Sequence, residues 1–264
     1  MNLIDIGANL THESFGHDFH EVLDRAREHG ILQAVVTGTT VEGSEQALAL
    51  ARSQPGVLFA TAGLHPHNAS DWGPEVEAAF RTLAKSPEVV AAGEMGLDYN
   101  RDFSPRDQQR AAFEAQLALA EELAMPVFLH ERDAHADFLD IMSKHRDRLV
   151  DAVIHCFTGD EEALFAYLDL DMYVGITGWI CDERRGTHLR ELVRHIPKDR
   201  LMVETDSPYL LPRDIRPRPK SRRNEPFHLK HIAQTIAALR GESVEALASA
   251  TTENARRFFR LVGG

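Results

Sequence analysis

Cysteine is scarce: Cys156 and Cys181 are the only two in 264 residues. Two cannot build a disulfide framework, which fits a reducing compartment and a fold held by its own hydrophobic core. Long apolar runs are missing as well. No window approaches the ~18 consecutive apolar residues of a membrane span, and the opening MNLIDIGANLTHE carries neither a basic stretch nor a small-residue cleavage site. The expectation is a soluble cytoplasmic protein without a membrane partner. Positive charge is in deficit, with 29 Lys+Arg against 41 Asp+Glu and a formal net charge of −12. That bulk field repels phosphate and excludes a protein that coats nucleic acid or a polybasic membrane binder. A local basic patch is still compatible with it. Gly-rich phosphate turns of the G-x-G-x-x-G or G-x-x-x-x-G-K-[ST] type are also absent.

What is present is a rhythm. Eight short, near-continuously apolar runs recur: Leu3–Ile6, Gln33–Thr37, Leu58–Ala62, Val89–Gly93, Pro126–Leu129, Ala152–Ile154, Met172–Ile176 and Leu201–Glu204. Strands covered on both faces look like this, and the intervals hold one helix and two loops each. Helix signals fill those intervals. In Ser104-Pro105-Arg106-Asp107 the serine suits the cap, the proline the first turn and the carboxylate the third position, with Phe113, Leu117, Ala120 and Ala124 following at helical spacing. A helix over Phe19–His29 ends at Gly30, and two more, Pro226–Arg240 and Val244–Val262, complete the outer layer. Eight β/α units in this length predict a TIM (β/α)8 barrel as one domain over residues 1–264, most simply a monomer. A doubly wound open sheet is the alternative, without its usual glycine-rich turn.

In such barrels the reacting groups sit at the C-terminal ends of strands. Five runs here lead into a histidine or carboxylate: His65 and His67 after the third, Glu94 after the fourth, His130 after the fifth, His155 after the sixth, and Glu204 with Asp206 at the eighth. One such residue alone is usually hydrogen-bonded structure. Five converging on one mouth form an N/O donor set for a divalent cation, which also relieves the crowding of Glu94, Glu204 and Asp206. Glu94, His130, His155 and Asp206 are therefore the candidate metal ligands. Glu94, Asp206 and His65 are the candidate catalytic residues, with Asp206 orienting or deprotonating a water and His65 touching the metal or serving the leaving oxygen. His67 reads as structural. Glu204 shares a strand face with Asp206 and is expected to hold a ligand or second ion. Cys156 reads as buried and inert, turned by strand alternation away from the side His155 faces, and Ser207 lacks a nucleophile-elbow context. Arg213 to Arg223 carries six basic residues in eleven directly after the last strand. Such a run is expected to guide phosphates at the mouth, with Arg222 and Arg223 contacting substrate. Tyr99, Phe157, Trp179 and Tyr209 stand near strand ends and are candidates for base stacking.

The motifs Asp5-Ile6-Gly7-Ala8-Asn9-Leu10, Gly63-Leu64-His65-Pro66-His67, Gly93-Glu94-Met95-Gly96-Leu97-Asp98-Tyr99, Pro126-Val127-Phe128-Leu129-His130, His155-Cys156-Phe157-Thr158-Gly159, Glu204-Thr205-Asp206-Ser207-Pro208-Tyr209-Leu210 and Arg222-Arg223-Asn224-Glu225-Pro226 appear in order. Together, from residue 3 to Asn254-Ala255-Arg256-Arg257-Phe258, they resemble the TatD-type metal-dependent deoxyribonucleases of the amidohydrolase superfamily. The resemblance implies a TIM barrel, hydrolysis of nucleic-acid phosphodiesters, and metal ligation by Glu94, His130, His155 and Asp206. Gly7 and Asn9 stand where many members of the wider family carry a His-x-His pair, a departure that counts against a full two-metal site. The same Gly-x-Asn opening resembles the TatD branch, which implies a magnesium-dependent 3′→5′ exonuclease on single-stranded DNA and RNA. Fewer imidazoles and more oxygens favour Mg²⁺ or Mn²⁺ over Zn²⁺, and Asn9 is placed to reach a ligand through water. Two competing expectations are a small-molecule amidohydrolase for a lactone, amide or phosphoester, and a non-catalytic nucleic-acid-binding barrel.

Overall fold

The computed structural model describes residues 2–261, so the expected helix end at Val262 lies outside the described residues. Each apolar run forms a strand: β1 (Leu3–Ala8), β2 (Ile31–Val36), β3 (Leu58–Ala62), β4 (Val89–Asp98), β5 (Val127–Arg132), β6 (Ala152–Ile154), β7 (Tyr173–Ile176) and β8 (Leu201–Val203). They pair in chain order in one parallel eight-stranded sheet. Helices α1 (Phe19–Glu28), α2 (Val41–Ser53), α3 (Pro74–Leu83), α4 (Arg106–Leu123), α5 (His135–His145), α6 (Glu161–Asp169) and α7 (Thr187–Leu192) fill the crossovers, and α8 (Leu229–Arg240) and α9 (Val244–Phe259) follow β8. At the C-terminal end of the seam the Asp206 N–H donates to Gly7 O at 2.8 Å and the Asn9 N–H to Ser207 O at 2.7 Å. These bonds draw the ends of β8 and β1 together, and the sheet is a TIM barrel.

Alternate strand residues fill the inside. Ile4, Ile6, Val35, Phe59, Ala91, Phe128, Val153, Tyr173 and Met202 pack as one buried cluster with Phe258 and Phe259 of α9. That helix therefore plugs the N-terminal end of the barrel with aromatic side chains. The opposite faces of the strands meet the helices through a second and third apolar cluster. Among the described residues no helix is long and apolar enough to cross a membrane.

Two local features depart from the sequence reading, and both shape the mouth. Ser104 does not cap α4, whose cap position is Pro105 without a side-chain bond. Its hydroxyl instead donates to His67 O at 2.9 Å and accepts the Ser70 N–H at 3.1 Å, bracing the 3-10 turn Pro66–Asp71. Strands β4 and β5 also run beyond their apolar stretches, pairing Gly96 with His130, Leu97 with Glu131 and Asp98 with Arg132 after an irregularity between Gly93 and Met95. Glycine makes that irregularity possible. Gly93 and Gly96 have φ of +136° and +147°, and a Cβ on either would collide with the Phe128 or His130 carbonyl of β5.

Candidate active site

Glu94 is the hub of the mouth. Its Oε1 lies 2.9 Å from His130 Nδ1, 2.9 Å from His155 Nε2 and 3.4 Å from His65 Nε2, so imidazoles from three strand ends converge on one carboxylate oxygen. Asp206 joins them along a cavity of about 340 Å³ that His67, Asn9 and Tyr209 also line. Each side chain is held from behind. His65 Nδ1 accepts the His67 N–H at 3.1 Å, which leaves Nε2 as its proton-bearing nitrogen. Asn9 Nδ2 donates to Asp206 Oδ1 at 2.9 Å, so the asparagine expected to reach a ligand holds a carboxylate. The His155 ring stacks on Phe128 with centroids 4.7 Å apart, which makes the apolar barrel layer the floor of the site.

Glu204 has no exposed surface. It lies inside the barrel below His155, accepting the Cys156 N–H at 2.5 Å and facing His155 Nδ1 at 3.1 Å. Gly7 and Gly175 make its space, since a Cβ on either would meet the Glu204 carboxylate. Position 7 is a glycine because the glutamate that follows the adjoining β8 occupies the volume a side chain there would need. Both His155 nitrogens face carboxylates, Nδ1 toward Glu204 and Nε2 toward Glu94 at 2.9 Å, so the ring is oriented by a donor bond at each end, and a cation on Nε2 would leave its remaining proton on Nδ1 with Glu204.

The charges are strongly coupled. Burial alone would raise the Glu94 pKa, yet His155, His65 and His130 outweigh it and hold it well below the usual range. Burial disfavours a charged His155, but Glu94 and Glu204 raise its pKa well above the ordinary value. His130 is raised as well, Asp98 and Glu94 overcoming burial. His65 goes the other way, lowered by burial to about 4. Burial, then Glu94 and Glu204 acting against His155, push Asp206 up to about 7.

A divalent cation fits this donor set. One ligand atom each from His65, Glu94 and His130 lie within 4.8 Å of one another. His130 Nε2 is buried without a hydrogen-bond partner, 3.5 Å from Asp98 Oδ2. Among the residues named from sequence, Glu94, His65, His130, His155 and Asp206 thus come together at one cavity, and Glu204 sits beneath it.

Arg222 and Arg223 do not join them. Arg223 is pinned to Asp18 at 2.6 Å, to Glu225 at 2.8 Å and to Ser14 O, which ties its loop to the segment before α1. Arg222 lines a separate cavity of about 520 Å³ with Arg213, Arg218 and Lys220. Cys156 also departs from expectation in position. Strand β6 ends at Ile154, so alternation does not reach Cys156, which lines the mouth beside His155. Its thiol is still unreactive, pushed up to about 12 by burial and Asp206. His67, read as structural, lies 2.7 Å from Asp98 at the cavity edge. Of the aromatic candidates, Phe157 is buried, Tyr99 donates its hydroxyl to Asp137, Tyr209 is exposed at the rim and Trp179 lines an adjoining cavity.

Two residues escaped the sequence reading. Asp98 braces His67 and His130, and Arg132 lines the mouth. Period-two alternation from His130 points to Arg132 once β5 is known to continue past Leu129.

Comparison with known proteins gives the same picture. The family model for TatD related DNase matches residues 4–260. A protein of Pantoea vagans named 3′-5′ ssDNA/RNA exonuclease TatD is 55% identical over 98% of this chain and 100% of its own length. The protein of the same name from Erwinia billingiae is 56% identical over 98% of this chain and 99% of its own. The crystal structure of a TatD homologue from Escherichia coli K12 superposes with a TM-score of 0.89 at 26% identity, covering 98% of both chains. A whole-length family match, curated relatives aligned end to end and the same barrel lead to one conclusion: this chain belongs to the TatD related DNase family.

Proposed function

We propose that this protein is a divalent-metal-dependent exonuclease that shortens single-stranded DNA and RNA from the 3′ end. The observation that carries the reading is the convergence of three imidazoles on Glu94, with Asp206 at the same open cavity. Glu94, His130, His155 and Asp206 are the residues that would hold the ion. Mg²⁺ is the first choice, with Mn²⁺ and Zn²⁺ as alternatives, and when bound it polarises the scissile phosphate and acidifies a water.

The chain's own groups do the rest. Asp206, held by Asn9, orients the attacking water and accepts its proton. His65 is neutral near pH 7 and bears its proton on Nε2, so it donates a hydrogen bond to the departing oxygen. Glu204 lies below His155 and, with the ion in place, would keep the ring's remaining proton on Nδ1. We take the enzyme to act as a monomer, which its mass in solution would check. The free Cys156 and Cys181 suit the reducing cytoplasm, where we place the enzyme.

Single-stranded oligonucleotides labelled at either end test the reading. With Mg²⁺, a 5′ label yields a descending ladder and a 3′ label is released at once as mononucleotide, while EDTA stops both. Binding without shortening, or equal shortening in EDTA, overturns it.

A further inference from the structure

A larger cavity opens beside the mouth. It measures about 650 Å³ against about 340 Å³ for the site itself, and the two share Glu131, Arg132 and Thr158 along a common edge. Its far side is built by Trp179, Arg185 and His188 from the segment after β7. The two form one continuous groove from the carboxylate–histidine cluster across the ends of β5, β6 and β7.

Charge within this groove is uneven. Arg132, half-buried on the shared edge, has no carboxylate within 4.0 Å among the described residues, and its one side-chain hydrogen bond is from Nη1 to Thr158 Oγ1 at 3.2 Å. Its neighbour Arg185 is already paired with Asp182 at 3.2 Å. Both guanidiniums lie over the Trp179 indole, Arg185 at 4.4 Å and Arg132 at 5.2 Å from the ring centroid. A guanidinium resting on a ring keeps its N–H edge free for acceptors in its own plane, the geometry that suits phosphate. The acids nearby are largely occupied by the scaffold. Glu131 accepts the Ala134 N–H and the Tyr167 hydroxyl, Asp160 caps α6, and Asp133 accepts from Asn100. Glu162 is the remaining carboxylate of the lining.

We propose that this cavity is the binding station for the strand 5′ of the cut, with Arg132 gripping the first phosphate upstream of the scissile one and Trp179 with its arginines packing against the bases beyond. The inference rests on the exonuclease reading above. If the smaller cavity holds the departing nucleotide, the larger, nearly twice its volume, holds about two more. The Arg-rich segment after β8 is then a bystander, although it is the most basic stretch of the sequence.

Substrate length tests it. With Mg²⁺, KM for a dinucleotide lacking a 5′-phosphate, which offers only the scissile phosphate, is compared with KM for a tetranucleotide and a decamer. The wild type improves with length. Arg132→Gln raises KM for the longer substrates about tenfold and leaves the dinucleotide unchanged, and Trp179→Ala raises it about fivefold or more in the same selective way. A second readout needs no turnover. In a Trp72→Phe background, where Trp179 is the sole tryptophan, oligothymidylate in EDTA quenches its fluorescence, and Arg132→Gln flattens the salt dependence of that binding by about 0.7 in log–log slope. Equal KM changes at every length, absence of quenching, or a length effect lost in Arg218→Gln/Arg222→Gln instead would overturn the proposal. Failure to cut any substrate while quenching persists sinks the exonuclease reading and leaves the binding station standing.

Discussion

The two ends of the barrel are made from the same eight strands and hold opposite contents. At the N-terminal end Ile4, Val35, Phe59, Tyr173 and Met202 meet Phe258 and Phe259 of α9 in a buried apolar layer. At the C-terminal end, one side-chain layer above Phe128, the interior holds Glu94, His155 and Glu204, all less than a tenth exposed. Apolar packing stabilises the fold at one end, while at the other buried charges are crowded together in a way that only mutual neutralisation or a cation makes tolerable. The difference separates what makes this chain fold from what makes it act.

Mutations at the two ends should therefore fail differently. Glu94→Gln removes the hub that three imidazoles share, and turnover on a single-stranded oligonucleotide should drop roughly 1000-fold or more with the circular dichroism spectrum intact. Phe258→Ala opens a cavity under the barrel and should cost about 3–5 kcal/mol in denaturant unfolding, while kcat of the folded enzyme at 25 °C changes little. An exchange of these two phenotypes would dissolve the comparison. Glu204→Gln sits between the ends and is subtler. An amide can no longer accept from both His155 Nδ1 and the Cys156 N–H, so the imidazole loses its fixed tautomer and calorimetric metal affinity should weaken about 10- to 100-fold. Unchanged affinity would make Glu204 a packing residue only.

A pH-dependent effect concerns the seam. Asp5 of β1 is fully buried, accepts the Thr205 N–H at 2.9 Å and the Thr205 hydroxyl at 2.5 Å, and is pushed by burial from 3.8 to about 8. The folded chain keeps the Asp5 proton to about pH 8 and the unfolded chain releases it near 4, so this group's stability contribution is present at low pH and declines as pH rises between those values. Asp5→Asn lacks that titration. Its thermal midpoint relative to wild type should improve from pH 5 to pH 8, and a constant gap would refute the assignment.

Much of this was legible in the residues because the physics is local. Strands buried on both faces must be apolar, which is why all eight runs became strands, and ligands at their ends follow from the barrel's polarity. What was not legible depends on distant partners. Arg223 looked free for phosphate, but besides its near neighbour Glu225 it is held by Asp18, 205 residues away along the chain. Arg132 and Asp98 were hidden because polar residues extended β4 and β5 past the apolar signal, held by glycines whose conformations show only in the structure. Cys156 was misplaced for the converse reason, a strand that stopped two residues early for alternation to apply.

The central claim is that the crowded carboxylate–histidine end works through a bound divalent ion. Its most direct test is to strip the protein with EDTA, titrate Mn²⁺ back, and follow bound ion by electron paramagnetic resonance alongside shortening of a 5′-labelled single strand. The account requires activity to vanish on stripping and to return in proportion to bound Mn²⁺, with neither signal in Glu94→Gln. Full activity in the stripped protein, or tight Mn²⁺ binding undiminished in Glu94→Gln, would contradict it.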